Sequence, residues 1–328
     1  MFKNQIILVT GGTGSWGYEL VRQLLTFEPK EIRIFSRNES NQFTMKQEFD
    51  NNPKLHFLIG DIKEKKSLIE ACQDVDYVFH LAALKHVPVC EDQPLEALKT
   101  NVTGTQNVID AAILCNVKRV IYISTDKAAN PSNFYGLSKA MGERLIIHAN
   151  TLNTKTRFVC IRGGNVLGTN GSVIHVFKKQ IQEKGKIGIT DLDMTRFFLT
   201  LEDAIKLVFK ATFESIGGEI FVMKMPTCKI IDLAYVLIDA SDKQDVEIQV
   251  LGVRPGEKIH ELLLSEYEAT STITYDDEYF VILPPIHIEG LKEYYASYKP
   301  VNLVNYNSSK ELMTKEEIKD MLKKGRFI

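Results

Sequence analysis

The first half of the chain alternates short runs of β-branched and aromatic residues with longer amphipathic stretches. Each short run is apolar almost throughout, which is typical of a strand buried on both faces of a parallel sheet. The stretches at 18–25, 94–115 and 135–150 have the length and spacing of helices. Strands are predicted at 5–10, 31–36, 55–60, 77–82, 120–124 and 158–162.

This alternation predicts βαβ units with right-handed crossovers, and therefore an α/β fold with a Rossmann-like, doubly wound parallel sheet. After residue 163 the rhythm changes, because glycine, asparagine and threonine are dense through 163–171. We interpret 1–163 as the sheet domain, completed by parts of 192–225, and 164–328 mainly as a smaller C-terminal lobe. Further helices are predicted at 173–184, 201–213, 231–240 and 315–324, the last with Thr314 as its N-cap.

Composition and charge exclude several classes of function. The 328 residues carry a formal net charge of −2, so no overall field attracts nucleic acid. The apolar run at 6–9 is too short for a signal peptide or a spanning helix, and we expect no membrane span. The five cysteines are odd in number and widely spaced, which favours reduced thiols and a cytoplasmic location. The seven histidines are dispersed, so no metal site is expected.

Three glycines follow the first predicted strand in the order G-x-x-G-x-x-G. One permits a tight turn, one lets the backbone approach a pyrophosphate, and one lets the next helix pack closely on the sheet. Unpaired N–H groups at the helix N-terminus then bind the phosphates. An ordinary tight turn is the alternative, but the flanking strand and helix favour a dinucleotide site. The predicted contacts are Gly11, Thr13, Gly14, Ser15, Trp16 and Gly17.

The end of the second predicted strand indicates which dinucleotide is bound. An NAD site usually has Asp or Glu about 20 residues beyond the glycines, on the ribose 2′-hydroxyl. This chain has Ser36 and Arg37 there, and a guanidinium suits a 2′-phosphate. We therefore predict NADP rather than NAD. The alternative is a solvated Arg37 with Glu39 turned towards the ribose.

Later strand ends supply the rest of the predicted cofactor site. Asp61 and Ile62 follow the third strand, where they would flank the adenine. His80 ends the fourth strand, and we interpret it as a packed histidine rather than a ligand. Further predicted cofactor contacts are Ala82, Ala83, Lys85, Asn101, Tyr135 and Lys139.

Tyr135 and Lys139 lie four residues apart at the start of a predicted helix, so they share one face. A phenol has a pKa of about 10 and is a poor base at neutral pH. A nearby ammonium group and a positive nicotinamide ring both favour the phenolate. Tyr135 is then a base for a substrate hydroxyl, and Thr125 can hydrogen-bond the same oxygen. Because Y-x-x-x-K is common by chance, the prediction depends on its position after the fifth strand.

Longer motifs surround these residues: ALKHVP at 83–88, the adjacent pair Asp126 and Lys127, and RPGEK at 254–258. With the glycine loop and the catalytic segment at 124–139, they cover nearly the whole chain. The chain thereby resembles the extended short-chain dehydrogenase/reductases. More narrowly, it resembles the 4,6-dehydratases that act on UDP-N-acetylglucosamine, including the inverting enzymes of pseudaminic acid and capsule biosynthesis.

The resemblance implies a reaction that regenerates its cofactor. Oxidation at C4 of the sugar makes the C5 proton acidic, a base removes that proton, the C6 hydroxyl leaves as water, and hydride returns to C6. The resemblance implies Asp126 as the C6 acid and Lys127 as the C5 base. A lysine at position 127, where retaining enzymes commonly have glutamate, resembles the inverting branch. The alternative is that Asp126 caps a turn and Lys127 is solvated.

The implied substrate is a UDP-sugar, whose phosphates need cationic partners. The resemblance also implies a homo-oligomer, either a dimer or a hexamer. Two positions depart from related sequences: Gly163 stands where an aromatic residue is usual, and Asn170 where a cation is usual. The predicted substrate contacts are Lys85, Asn165, Arg196, Arg254 and Lys258, each alternatively a surface charge or a turn residue.

Two other functions stay open. A nucleotide-sugar epimerase or reductase on the same fold needs Tyr135 and Lys139 but not Asp126 or Lys127. Epimerisation conserves the mass of the sugar, whereas dehydration removes one water. A non-catalytic, NADP-binding redox sensor would bind cofactor without turning over a sugar, and the Tyr135/Lys139 pair argues against it.

Overall fold

The computed structural model of the protein describes residues 1–152, 155–169, 171–243 and 245–328. Asn170, one of the two departures noted above, lies outside these residues. The first half contains β1 (Ile6–Thr10), α1 (Ser15–Leu25), β2 (Glu31–Ser36), α2 (Glu39–Glu48), β3 (Leu55–Ile59), α3 (Lys65–Cys72), β4 (Tyr77–His80), α4 (Val87–Asp92), α5 (Pro94–Leu98), α6 (Gly104–Leu114), β5 (Arg119–Thr125), α7 (Phe134–Ala149) and β6 (Arg157–Gly163).

The second half has shorter strands and more irregular connections. Its elements are β7 (Asn165–Val166), α8 (Val173–Lys184), β8 (Lys186–Ile189), β9 (Thr195–Leu199), α9 (Leu201–Glu214), β10 (Ile220–Met223), β11 (Thr227–Lys229), α10 (Ile230–Asp239), β12 (Glu247–Val250), β13 (Leu262–Leu264), α11 (Glu266–Ala269), β14 (Thr272–Thr274), β15 (Tyr279–Ile282), α12 (Leu291–Tyr294), β16 (Tyr306–Asn307) and α13 (Lys315–Lys324).

Nine strands form one large sheet in the order β14-β15-β10-β6-β5-β4-β1-β2-β3. The strands from β10 to β3 are parallel, and β14 and β15 continue the sheet antiparallel. All six predicted strands are present, with ends within two residues of the predicted ones. The predicted doubly wound α/β fold is therefore confirmed. Its order reverses between β1 and β4, which is where such sheets bind ligands.

Buried apolar side chains form two cores. The larger one lies around the nine-stranded sheet and includes residues of β10, β14 and β15. The smaller one joins α8, α10 and α13, with Ile318 and Leu322 of α13 fully buried. Strands β10, β14 and β15 follow the predicted domain boundary at residues 163 and 164, yet they belong to the large sheet of the first domain. The boundary itself stays a prediction.

The predicted helix at 94–115 differs from the structure. A π-helical turn, Lys99–Thr103, separates α5 from α6. It holds Asn101, whose side-chain amide donates to the Leu84 carbonyl and the Ser138 hydroxyl, both at 2.9 Å. The Asn101 Oδ1 accepts from the Leu84 N–H at 2.8 Å. A wide turn inside a helix often marks a functional site, and here it fixes the segment that follows β4.

Candidate active site

A cavity of 620 Å³ opens at the carboxyl edge of the sheet, between the two cores. The glycine loop and the segment after β4 form one wall, and residues within 164–169 and 171–173 form another. A smaller cavity of 180 Å³ adjoins it at the ends of β2 and β3. All five predicted catalytic residues line the larger cavity: Thr125, Asp126, Lys127, Tyr135 and Lys139.

The glycine loop has the shape that a pyrophosphate requires. Gly11 has a φ of +69°, and a Cβ there would lie 2.8 Å from the Ala82 backbone. A Cβ on Gly17 would lie 2.3 Å from the Gly12 carbonyl oxygen, so close packing of α1 excludes a side chain. A Cβ on Gly14 would meet only the Gly11 oxygen, at 3.4 Å, on the side that lines the cavity. These residues fit a dinucleotide whose phosphates approach the N-terminus of α1.

The smaller cavity brings together the residues predicted to bind the adenosine half of the cofactor. Its lining includes Ser36, Arg37, Asp61 and Ile62. The Arg37 side chain is 58% exposed, with its guanidinium 3.8 Å from an Asp61 carboxylate oxygen. Glu39, the alternative ribose partner, is the first residue of α2 and lines neither cavity.

Helix α7 positions Tyr135 and Lys139. Its N-cap is Asn133, which accepts a hydrogen bond from the Gly136 N–H at 2.9 Å. A Cβ on Gly136 would lie 2.2 Å from the Lys127 carbonyl oxygen. Glycine at this position therefore allows α7 to begin close to the turn at Asp126–Ala128. Buried Lys139 donates to the Ile123 carbonyl at 2.8 Å, and burial lowers its pKa to about 7.

Burial is the largest influence on Tyr135 and raises its pKa to about 12. It opposes the effect expected of a nearby ammonium group and of the nicotinamide ring, which both favour the phenolate. The largest opposing influence is the positive charge of Lys127, followed by a hydrogen bond with Thr125. The two lysines therefore differ. Lys127 supplies the main positive charge at the phenol, whereas the pKa of Lys139 is lowered to about 7.

Asp126 and Lys127 form an ion pair at the cavity wall. The Asp126 side chain is 1% exposed, and its Oδ1 accepts from the Thr125 hydroxyl at 2.9 Å and from the Lys127 ammonium at 3.0 Å. Asp126 Oδ2 is buried without a hydrogen-bond partner among the described residues. The alternative of a solvated Lys127 is wrong, because its Nζ also lies 3.2 Å from Glu261.

The predicted substrate contacts divide into two groups. Lys85 and Asn165 line the larger cavity, whereas Arg196, Arg254 and Lys258 line neither cavity. The Arg196 side chain is only 7% exposed and donates to the Thr195 and Ile259 carbonyls. Lys258 donates to the carbonyls of residues 129 and 130, in the loop that precedes α7.

The other singled-out residues are accounted for by packing. His80 is buried between the hydroxyls of Thr10 and Thr105, at 2.7 and 3.1 Å, and burial lowers its pKa to about 3. The interpretation of His80 as a packed histidine is confirmed. A Cβ on Gly163 would lie 3.1 Å from the Met223 sulfur, so a methionine borders the position where an aromatic residue is usual.

The sequence profile of one protein family, described as "Polysaccharide biosynthesis protein", matches residues 7–283. The chain belongs to this family. A UDP-N-acetylglucosamine 4,6-dehydratase (inverting) of Campylobacter jejuni is 45% identical, over 87% of this chain and 85% of its own. A protein of Rickettsia massiliae named UDP-glucose 4-epimerase is 42% identical, over 98% and 96% of the two chains. The X-ray structure of Pen from Bacillus thuringiensis superposes with a TM-score of 0.93, at 38% identity, over 100% of this chain and 99% of Pen.

Membership of the polysaccharide biosynthesis family confirms the resemblance to extended short-chain dehydrogenase/reductases of the UDP-N-acetylglucosamine 4,6-dehydratase type. The prediction of an enzyme of the dehydratase type is confirmed with it. Among the described residues, no helix is both long and apolar enough to cross a bilayer. The relatives of the chain include proteins named as dehydratases and as epimerases.

Proposed function

We propose that the protein is an NADP-dependent 4,6-dehydratase of UDP-N-acetylglucosamine that inverts the configuration at C5. One observation carries the proposal: Asp126 and Lys127, 3.0 Å apart, share a cavity wall with Tyr135 and Lys139. An enzyme that only oxidises and reduces C4 needs the second pair alone. A carboxylate and an amine beside it supply the acid and base that an elimination requires.

Tyr135 is the base for the C4 hydroxyl, with the Thr125 hydroxyl on the same oxygen. The field of Lys127 opposes the effect of burial on the phenol. Hydride acceptance from C4 and hydride return to C6 are the chemistry that the bound nicotinamide supplies. Lys139, held by the Ile123 carbonyl, supports the phenol from the next turn of α7.

Lys127 then removes the C5 proton, which is acidic because C4 is now a carbonyl. Asp126 donates a proton to the C6 hydroxyl as it leaves, and the Thr125 and Lys127 hydrogen bonds keep its carboxyl group in place. Lys127 takes the C5 proton from one face of the sugar. When a proton returns to C5 on the opposite face, the configuration at C5 is inverted.

The binding partners follow from the two cavities. Arg37 at the smaller cavity is suited to a 2′-phosphate, which supports NADP over NAD. Lys85 and Asn165 at the larger cavity are suited to the UDP-sugar. We also propose a homo-oligomer, because α7 exposes apolar Leu137 and Met141 one turn apart, each 48% exposed. The proposed location is the cytoplasm, where UDP-sugars and reduced thiols occur together.

The second candidate is a UDP-sugar 4-epimerase, favoured by the similarity to the Rickettsia massiliae protein over almost its whole length. Epimerisation uses Tyr135 and Lys139 and leaves Asp126 and Lys127 without a chemical role. The two candidates therefore differ in the mass of the product and in exchange at C5.

The test is incubation with UDP-N-acetylglucosamine and NADP in deuterated water, followed by mass spectrometry and NMR. We expect loss of one water, deuterium at C5 and the inverted configuration. Asp126→Asn and Lys127→Ala should retain NADP binding and lose at least about 100-fold in turnover, the usual contribution of a general acid or base. A product of unchanged mass makes the enzyme an epimerase, and full turnover by both variants removes the pair from the mechanism.

A further inference from the structure

Lys127 contacts a second buried carboxylate besides Asp126, that of Glu261. The Glu261 side chain is 3% exposed, with Oε1 3.2 Å from Lys127 Nζ and 3.8 Å from Arg196 Nε. Its Oε2 is buried without a hydrogen-bond partner among the described residues. The backbone on both sides is fixed, since Ser308 exchanges two hydrogen bonds of 2.9 Å with Glu261. Among the predicted catalytic residues, Glu261 forms an ion pair with Lys127.

The ammonium group of Lys127 is consequently held between two carboxylates, at 3.0 Å from Asp126 and 3.2 Å from Glu261. Opposite charges at such distances favour the charged form of a lysine. Together they keep the pKa of Lys127 above its usual range, although burial acts the other way. A charged lysine cannot take a proton from C5, and a carboxylate cannot give one to the C6 hydroxyl. An ammonium group beside a carboxylate is thus the reverse of the state that the elimination needs.

We propose that Glu261 is a positioning residue that holds Lys127 against Asp126, so that a single proton, passed between them, creates the acid and the base together. The inference rests on the proposed dehydration. The proton moves from Lys127 Nζ to the Asp126 carboxylate, which leaves a neutral amine and a carboxylic acid. The amine takes the C5 proton, and the C5–H electrons form the C5–C6 double bond. The C6–O bond breaks, and its oxygen leaves as water with the Asp126 proton. The pair ends as ammonium and carboxylate, as it began.

Arg196 has a defined part in this arrangement. Its guanidinium lies 3.8 Å from Glu261 Oε1 and 3.5 Å from Glu257, and its positive charge offsets part of the negative charge beside Lys127. This positive charge acts to lower the pKa of Lys127 and so favours transfer of its proton to Asp126. The buried Arg196, expected from sequence to contact substrate, is on this account a partner of Glu261.

The test compares Glu261→Gln, Glu261→Asp and the control Glu266→Gln, which removes an exposed carboxylate from α11. C4 oxidation is followed by the absorbance of the reduced cofactor in a single turnover, and elimination by deuterium uptake at C5 and water loss. We expect Glu261→Gln to keep C4 oxidation within about threefold while elimination falls about 100-fold, within the range of general acid–base effects. Glu261→Asp should recover at least about tenfold of that loss, and Glu266→Gln should match the wild type in both steps.

Each other outcome has a definite meaning. Elimination at the wild-type rate in Glu261→Gln overturns the inference and leaves the proposed function intact. An equal loss of C4 oxidation and elimination, with no recovery in Glu261→Asp, also overturns it, because that pattern is a general loss of structure. A wild-type enzyme that oxidises C4 but releases no water overturns the proposed dehydration, and the role of Glu261 with it.

Discussion

Arg37 lies at the end of β2 with more than half of its side chain in solvent. An exposed ion pair such as Arg37–Asp61, at 3.8 Å, contributes little to stability. The guanidinium is consequently available to a ligand at small cost. Its neighbour Ser36 is more constrained, because its hydroxyl and carbonyl both accept from the Gln42 side chain at 3.0 Å. Arg37 is thus available to bind a ligand, whereas Ser36 is held in place and shapes the cavity.

We expect Arg37→Ala to raise the Kd for NADP about tenfold to 100-fold, since a charge-assisted hydrogen bond contributes about 1.5–3 kcal/mol. The Kd for NAD should change less than about threefold. Isothermal titration with both cofactors measures the two values. Arg22→Ala, which removes a similarly exposed arginine from α1, is the control. Equal weakening of both cofactors would show that Arg37 does not recognise the 2′-phosphate.

The predicted catalytic residues all come from one continuous segment, residues 125–139. Thr125, Asp126, Lys127, Tyr135 and Lys139 lie close together in the chain, so a strand end and one helical turn bring them to one wall. Glu261 could not be found in this way, because a pairing across more than 130 positions has no local signature. Arg254 and Lys258 of the RPGEK motif that it follows are predicted from sequence to contact the substrate. The side-chain geometry instead assigns Lys258 to the catalytic loop.

Among the elements, α7 is joined to β6 and α11 by a buried arginine. Arg162 on β6 donates to Glu143 of α7 at 2.6 and 3.0 Å, and to Glu268 of α11 at 2.9 and 3.1 Å. It also donates to the Leu263 carbonyl at 3.0 Å. The Arg162 side chain is 1% exposed, so its charge is compensated entirely within the protein. The helix that carries the catalytic phenol is therefore fixed to the sheet and to the C-terminal segment at one point.

Arg162→Met should lower the free energy of unfolding by about 3–5 kcal/mol, because it leaves two carboxylates buried without a counter-charge. Lys206→Ala, which breaks an exposed pair with Glu202, should cost less than about 0.5 kcal/mol. Urea denaturation of the three proteins at one pH gives the comparison. A loss below about 1 kcal/mol in Arg162→Met would mean that the two glutamates find protons or water instead.

Elements with strong end signals were predicted well. Helix α13 has the predicted bounds, and Thr314 forms a capping box with Glu317. The π-helical turn was missed because a 3.6-residue period continues on either side of it. Strands β14 and β15 were missed for another reason: they are short, and they join the large sheet only through β10. Periodicity indicates what a segment is, but not which distant edge it pairs with.

For the whole molecule, the C-terminal half supports the catalytic loop from outside. The Gly256 carbonyl accepts from the side chains of Ser132 and Asn133, both at 3.0 Å. The Lys258 ammonium group donates to the carbonyls of Ala129 and Asn130. Gly256 has a φ of +77°, which a side chain would strain. The cap of α7 therefore depends on a loop more than 120 positions away.

The stability of the whole molecule should depend on Lys139. Its pKa is about 7 in the folded protein and about 10.4 when unfolded, so between these values the unfolded chain binds a proton that the folded chain does not. Above about pH 10.4 the lysine is uncharged in both states and does not lower the free energy of unfolding. As the pH falls from there towards 7, the unfolded chain gains a proton, and the free energy of unfolding falls. We expect Lys139→Met to be inactive yet about 1–3 kcal/mol more stable than the wild type at pH 7, with the difference shrinking by pH 9.5. Urea denaturation at both pH values checks the sign, and a difference that grows with pH contradicts it.

Strand β10 acquires its antiparallel neighbour late in synthesis. The strand ends at Met223, whereas β15 begins only at Tyr279. Domains fold from the N-terminus as the ribosome extends the chain. During the interval, the outer edge of β10 (IFVM) presents unpaired backbone groups on an uncharged, apolar strand. Such an edge is a template for pairing with another nascent chain. The speed at which residues 224–278 are translated therefore bears on how much of this enzyme reaches the folded state at all.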